Sequence, residues 1–183
     1  MMARRPPIRR EGLSQPQIDW LLGHGVTIAT LIHPTLVTAA RGRRSHDGWF
    51  EPDRGMNRDW LAFEEAGELV LWPFSGLDRA DGFALDGGFV FALGEHNIDN
   101  PGTFALDGWL EVHRSPLSWL QARRRGIVIL DWSRIFERLR DCPRIVAETS
   151  FLAERIDTLM HPPRLPAISF RQQRRSTSRG GRA

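Results

Sequence analysis

Residues 109–148 read WLEVHRSPLSWLQARRRGIVILDWSRIFERLRDCPRIVAE, and the fold class turns on them. Three short apolar runs, 109–113, 127–131 and 144–148, alternate with segments whose apolar residues fall at helical spacing: Leu117 and Leu120, then Ile135, Phe136 and Leu139. The pattern continues past the stretch with Leu152, Ile156 and Leu159 and a fourth apolar run at 165–170. A period of two that gives way repeatedly to 3.6 predicts strand, helix, strand, helix, strand, helix, strand. Such alternation argues for crossover connections and a partly parallel sheet.

Each of the three runs closes on an ionisable residue and reaches a serine two positions later: His113 and Ser115, Asp131 and Ser133, Glu148 and Ser150. Parallel neighbouring strands would bring the three ionisable side chains to the carboxyl edge of one sheet, where open α/β folds place ligands. One imidazole and two carboxylates can hold a divalent metal, or divide into a base and its orienting group. His113, Asp131 and Glu148 are therefore the candidate catalytic residues, with the metal unspecified. Three helix starts beside them would also suit an anion such as phosphate. A competing explanation needs no chemistry, because serine is a preferred N-cap and an acid beside a helix start is stabilised by the helix dipole.

Upstream, three hairpins are expected. Runs 60–64 and 68–74 flank Ala66-Gly67, runs 83–85 and 89–93 flank Asp86-Gly87-Gly88, and runs 103–106 and 109–113 flank Asp107-Gly108, a pair suited to a type I′ turn. The loop 94–102 carries Glu95, His96 and Asp99, ligand-type side chains whose spacing matches no zinc motif; a solvated turn accounts for them. Residues 42–59 form a long polar connection with Arg43, Arg44, His46, Asp53 and Arg58, and connections of that length are functional or mobile. Trp49 within it is placed to anchor a partner. Nearer the start, 13–22 reads as a helix capped by Ser14, and 26–40 as two helical pieces separated by Pro34. The whole is an α+β chain: helices over 13–41, hairpins over 60–113 and alternating units over 109–170, forming one domain between arms at 1–12 and 171–183.

Net charge is +3, but it is unevenly spread. All 25 basic residues are arginine, and with neither lysine nor tyrosine to titrate, a small positive excess alone drives the isoelectric point high. Arg4, Arg5, Arg9 and Arg10 lie in the first arm; Arg171, Arg174, Arg175, Arg179 and Arg182 lie in the last. The sixteen other arginines face twenty-two acids, so the folded part is acidic and the basic character belongs to tails whose composition predicts disorder. Arg123, Arg124 and Arg125 end a helix before Gly126, where cations offset the dipole and remain solvated.

No apolar segment follows the first arginines, so the opening does not read as a secretory leader, and no apolar run is long enough to span a bilayer. The single cysteine, Cys142, fits a reducing compartment and a cytoplasmic location. Without lysine there is no P-loop and no Schiff-base chemistry; without tyrosine there is no tyrosine nucleophile. Gly-x-Ser-x-Gly, His-Glu-x-x-His, Gly-x-Gly-x-x-Gly and Asp-x-Asp patterns do not occur, and no cofactor is expected. The leading expectation is a non-catalytic accessory protein that holds nucleic acid or a nucleoprotein complex through its nine tail arginines, while the acidic core binds a protein partner. The alternatives are a metal-dependent hydrolase of a phosphorylated or nucleotide substrate at His113, Asp131 and Glu148, and a protein-binding inhibitor or scaffold with an acidic surface.

Overall fold

In the computed structural model, which describes residues 7–53, 55 and 59–161, the hairpin at Ala66-Gly67 forms as expected. Strands β3 (Asp59–Glu65) and β4 (Glu68–Pro73) pair antiparallel from Glu65 opposite Glu68 to Trp60 opposite Pro73. Ala66 and Gly67 have φ of 51° and 85°, the left-handed pair that a type I′ turn requires. On the other side of β3 lies β1 (Thr38–Arg44), followed by β2 (Phe50–Pro52), while β5 (Ala84–Leu85) adds to β4. The order β2-β1-β3-β4-β5 is antiparallel throughout. A parallel bridge between Trp49 and Leu85, with Leu85 N donating to Gly48 O at 3.2 Å, joins the two ends and closes the sheet into a small barrel.

Side-chain alternation fills both faces of this sheet. Trp60, Ala62 and Leu71 turn into the barrel with Ala40, Phe50 and Ala84. Leu61, Phe63, Val70 and Trp72 turn outward and pack under α1 (Gln15–Gly23), α2 (Ile28–Ile32) and α3 (Pro116–Gln121), through Leu21, Leu31, Trp119 and Leu120. Trp72 and Trp119, at 0% and 1% exposure, are the largest side chains buried there, and truncating residues of this kind costs about 3–5 kcal/mol.

The C-terminal half follows the alternating pattern in miniature. Strands β6 (Ala92–Leu93) and β8 (Val128–Ile129) pair antiparallel; β7 (Leu110–Val112) and β9 (Ile145–Ala147) pair parallel. A parallel bridge from Val112 to Ile127 brings β8 alongside β7. Helices α4 (Ile135–Leu139) and α5 (Ser150–Met160) cover these strands through Ile135, Leu139, Leu152 and Ile156. The caps are Ser115, which accepts from Ser118 N, Asp131, which accepts from Ser133 N, and Thr149, which accepts from Leu152 N. Of the three serines expected at helix starts only Ser115 is the cap; Asp131 and Thr149 take the role expected of Ser133 and Ser150.

Four expectations are corrected. Runs 83–85 and 89–93 do not form a hairpin, because Ala84 and Leu85 pair with Leu71 and Val70 and the later run pairs with β8. Phe91, Ala92 and Leu93 are each 0% exposed, the continuous burial of an interior strand rather than the alternation of a hairpin arm. Runs 103–106 and 109–113 do not pair either. Asn100 Oδ1 accepts from Gly102 N and its carbonyl from Thr103 N, so Thr103–Asp107 winds into a helical turn. The second helical piece expected within 26–40 ends instead as β1, whose Thr38 and Ala40 lie opposite Ala62 and Trp60. Finally, the polar connection 42–59 contains the β1–β2 hairpin, turned at Ser45 to Gly48.

The run at 165–170 lies outside the described residues, as do Arg4, Arg5, Arg171, Arg174, Arg175, Arg179 and Arg182. Arg9 is exposed, and Arg10 makes a solvated ion pair with Glu64 at 3.0 Å. Among the described residues no helix is long and apolar enough to cross a membrane.

Candidate functional site

Strand pairing places His113 and Glu148 together and leaves Asp131 apart. Val112 lies between Ala147 on one side and Ile127 on the other, so His113 and Glu148 emerge at the same level. Asp131 is three positions further along its own chain, about 10 Å if extended. Its carboxylate is occupied locally, accepting from the amide of Ser133 at 3.0 Å and its hydroxyl at 2.6 Å. His113, with a side chain 10% exposed, directs Nε2–H to the Arg125 carbonyl at 2.9 Å, while its Nδ1 is 4.0 Å from Glu148. Glu148 in turn accepts from Arg114 N and from Ser118 Oγ, both at 2.8 Å. The carboxylate thus ties the end of β9 to the start of α3, through the amide before its cap and a side-chain hydroxyl in its first turn.

The second cluster, Glu95, His96 and Asp99, is also engaged. Arg138 Nη2 lies 2.8 Å from Glu95 and 3.6 Å from Asp99, so the two acids clamp one guanidinium. Burial, and then the charge of Arg124, lower the pKa of His96. Among the described residues no group of three or more His, Cys, Asp or Glu side chains is arranged to hold a metal ion. Burial, reinforced by Asp99 and Asp141, raises the Cys142 thiol, which is the environment of an unreactive cysteine.

Behind this loop Glu65, 8% exposed, accepts from Gly94 N at 2.8 Å and ties the end of β3 to the turn after β6. Burial raises its pKa above the ordinary 4.5, and the Gly94 amide and the Arg124 charge only partly oppose this. The fold therefore favours the protonated form. That contribution to stability is complete below the unfolded value and is lost as pH rises through the folded one. In urea titrations from pH 4 to pH 8, Glu65→Gln, which keeps the acceptor for Gly94, is expected to gain stability relative to the parent as pH rises. A pH-independent difference would show that burial does not govern this carboxyl.

A cleft of about 1210 Å³ lies between the barrel and the C-terminal half. Arg43 and Arg44 reach it from the end of β1, Arg79 and Phe83 from the segment between β4 and β5, and Trp132 and Arg155 from the turn after β8 and from α5. Arg43 is neutralised by Glu51 at 2.7 Å. Among the described residues no carboxylate pairs with Arg44, Arg79 or Arg155, although Asp59 and Asp81 also line the cleft. The Arg155 guanidinium lies 3.7 Å from the centre of the Trp132 ring, a stacked cation–π contact. A second hollow of about 520 Å³ shares Trp132 and Arg155 and exposes Phe151, 73% accessible.

The sequence offered Arg43 and Arg44 only as parts of a polar connection. The approach of β1, the 79–83 segment and α5 makes them part of one surface. Compared with protein-family models, curated proteins and solved structures, the chain matches none, so its function must be argued from this surface.

Proposed function

We propose that the protein is a non-catalytic accessory protein that holds nucleic acid in the arginine-lined cleft, with its tail arginines extending the contact and its acidic remainder free to engage a protein partner. The observation that carries the reading is the juxtaposition of the exposed Arg44, Arg79 and Arg155 with the half-buried rings of Trp132, Phe74 and Phe83 in one cleft. Guanidinium groups bind phosphate as a planar fork, and aromatic faces accept unstacked bases of any sequence. A cleft that combines them suits a single strand better than a duplex, whose bases are already stacked.

The test is fluorescence anisotropy of a labelled single-stranded oligonucleotide with the full-length protein across a salt series. Binding to a single strand falls with salt by about 0.7 log units per log unit for each phosphate neutralised, so three or four cleft contacts give a slope of roughly −2 to −3. No binding at low salt, or a slope near zero, would overturn the reading.

A second reading, a hydrolase using His113 and Glu148, draws support from the 4.0 Å approach of the two side chains. Against it stands the occupation of Glu148 by Arg114 and Ser118, which makes the carboxylate a tether between β9 and the start of α3. A phosphatase and nuclease screen of the full-length protein with His113→Ala as control decides between them.

A further inference from the structure

The run Arg123, Arg124, Arg125 has the composition of a solvated helix end, and two of the three behave as one. Arg123 and Arg125 are exposed, but Arg124 is only 6% exposed. The backbone causes the difference. Arg123 and Arg124 both have left-handed φ, 57° and 59°, a conformation that side-chain-bearing residues adopt only when their surroundings impose it. Here Arg124 N donates to Trp119 O at 2.9 Å, and Asn97 Nδ2 donates to the carbonyls of Arg124 and Gly126 at 3.2 and 2.9 Å. The turn is thereby held so that the middle arginine points inward.

Arg124 lines a cavity of about 480 Å³ with Trp119, Thr35, Glu65, His96 and Arg138. That volume lies within the usual range of small-molecule sites, about 300–1,000 Å³. Its guanidinium Nη1 donates to Thr35 Oγ1 at 3.4 Å, and the group sits 5.6 Å from the centre of the Trp119 ring. Nε and Nη2 are buried and have no hydrogen-bond partner among the described residues. These two nitrogens share one edge of the guanidinium, and their parallel N–H bonds match the two oxygens of a carboxylate or phosphate.

The acids around the cavity do not fill this fork. Glu64 pairs with Arg10, Glu65 accepts from Gly94, and Glu95 and Asp99 share Arg138. Glu64, Glu95 and Asp99 do set its selectivity, because a dianion entering among them meets more repulsion than a monoanion. Donor groups on the remainder of a ligand would meet those same acids favourably.

We propose that this cavity binds a small hydroxy or amino monocarboxylic acid, whose carboxylate accepts both N–H groups of the Arg124 fork and whose hydroxyl or ammonium faces the acids of the wall. The site is separate from the arginine cleft and does not depend on how that cleft is used.

The experiment titrates the full-length protein with glycolate, glycine, inorganic phosphate and chloride, following the Arg124 Nε–Hε resonance and the melting temperature. The resonance is assigned through its proximity to Thr35 and Trp119, so the readout does not depend on any variant folding. The expected result is a saturable shift of that resonance and a rise in melting temperature with glycolate or glycine, neither reproduced by chloride, and no rise in Arg124→Lys, which lacks the two-pronged edge. An unmoved resonance with both organic acids, an equal rise in Arg124→Lys, or a response to phosphate alone would overturn the assignment.

Discussion

Replacing Arg79 and Arg155 together by glutamate is expected to weaken single-strand binding about 100-fold or more. A hydrogen bond to a charged group contributes about 1.5–3 kcal/mol, and 1.4 kcal/mol is a factor of ten, so the loss of two phosphate contacts multiplies to roughly that figure before repulsion is added. Both side chains are exposed and lack a carboxylate partner among the described residues, so their replacement leaves the cores untouched. The matching control reverses Arg174 and Arg175 in the last arm. If the cleft is the seat of binding, that control loses only a few-fold and the salt slope falls less. Should the tail variant instead lose more than the cleft variant, the arms would be the binding element and the cleft incidental. Anisotropy at two salt concentrations measures both.

Gly126→Ala is expected to destabilise the protein by about 3 kcal/mol in urea unfolding. Two separate costs meet at this position. Its φ of 71° is left-handed, and a Cβ there would press on the backbone carbonyl of Glu111, the oxygen that accepts from Ile127 N to bring β8 beside β7. Strained backbone of this kind and overpacking each cost about 1–3 kcal/mol. The Gly126 carbonyl also receives Trp119 Nε1 at 3.1 Å and Asn97 Nδ2 at 2.9 Å, so no easy backbone shift relieves the clash. Gly67→Ala isolates the first cost, because Gly67 has φ of 85° but open space around it. That variant is expected to lose about 1 kcal/mol. Equal losses at the two glycines would mean that the close approach of Gly126 to Glu111 is not limiting.

What the sequence made legible was what is encoded locally. Ala66-Gly67 between alternating runs located the first hairpin, the 3.6 spacing of Ile135 and Leu139, then Leu152 and Ile156, located two helices, and the alternation around them located the parallel pair β7 and β9. The failures share a cause. Strands β5 and β6 contain two residues each, too few to display a period, and their partners are chosen by which edge is left open. Asn100 diverted the next run into a helical turn through two hydrogen bonds that no periodicity records.

The sites were less legible than the fold for the same reason. His113 and Glu148 were brought together because parallel pairing was read correctly, whereas Asp131 was lost because its strand meets β7 only at Ile127. The cleft draws on Arg43 and Arg155, more than a hundred positions apart, and no window of sequence contains both. Within Arg123 to Arg125 the three side chains are identical; two left-handed φ values alone single out the one that is buried.

The bridge between Trp49 and Leu85 has a consequence for how the molecule behaves among its own copies. An open sheet ends in rows of unpaired amides and carbonyls, a template on which another chain can add a strand. Here the terminal strands are three and two residues long and meet each other, so the five-stranded sheet offers no extended edge. However closely copies of the chain are brought together, this sheet gives a second copy no long strand edge on which to extend it.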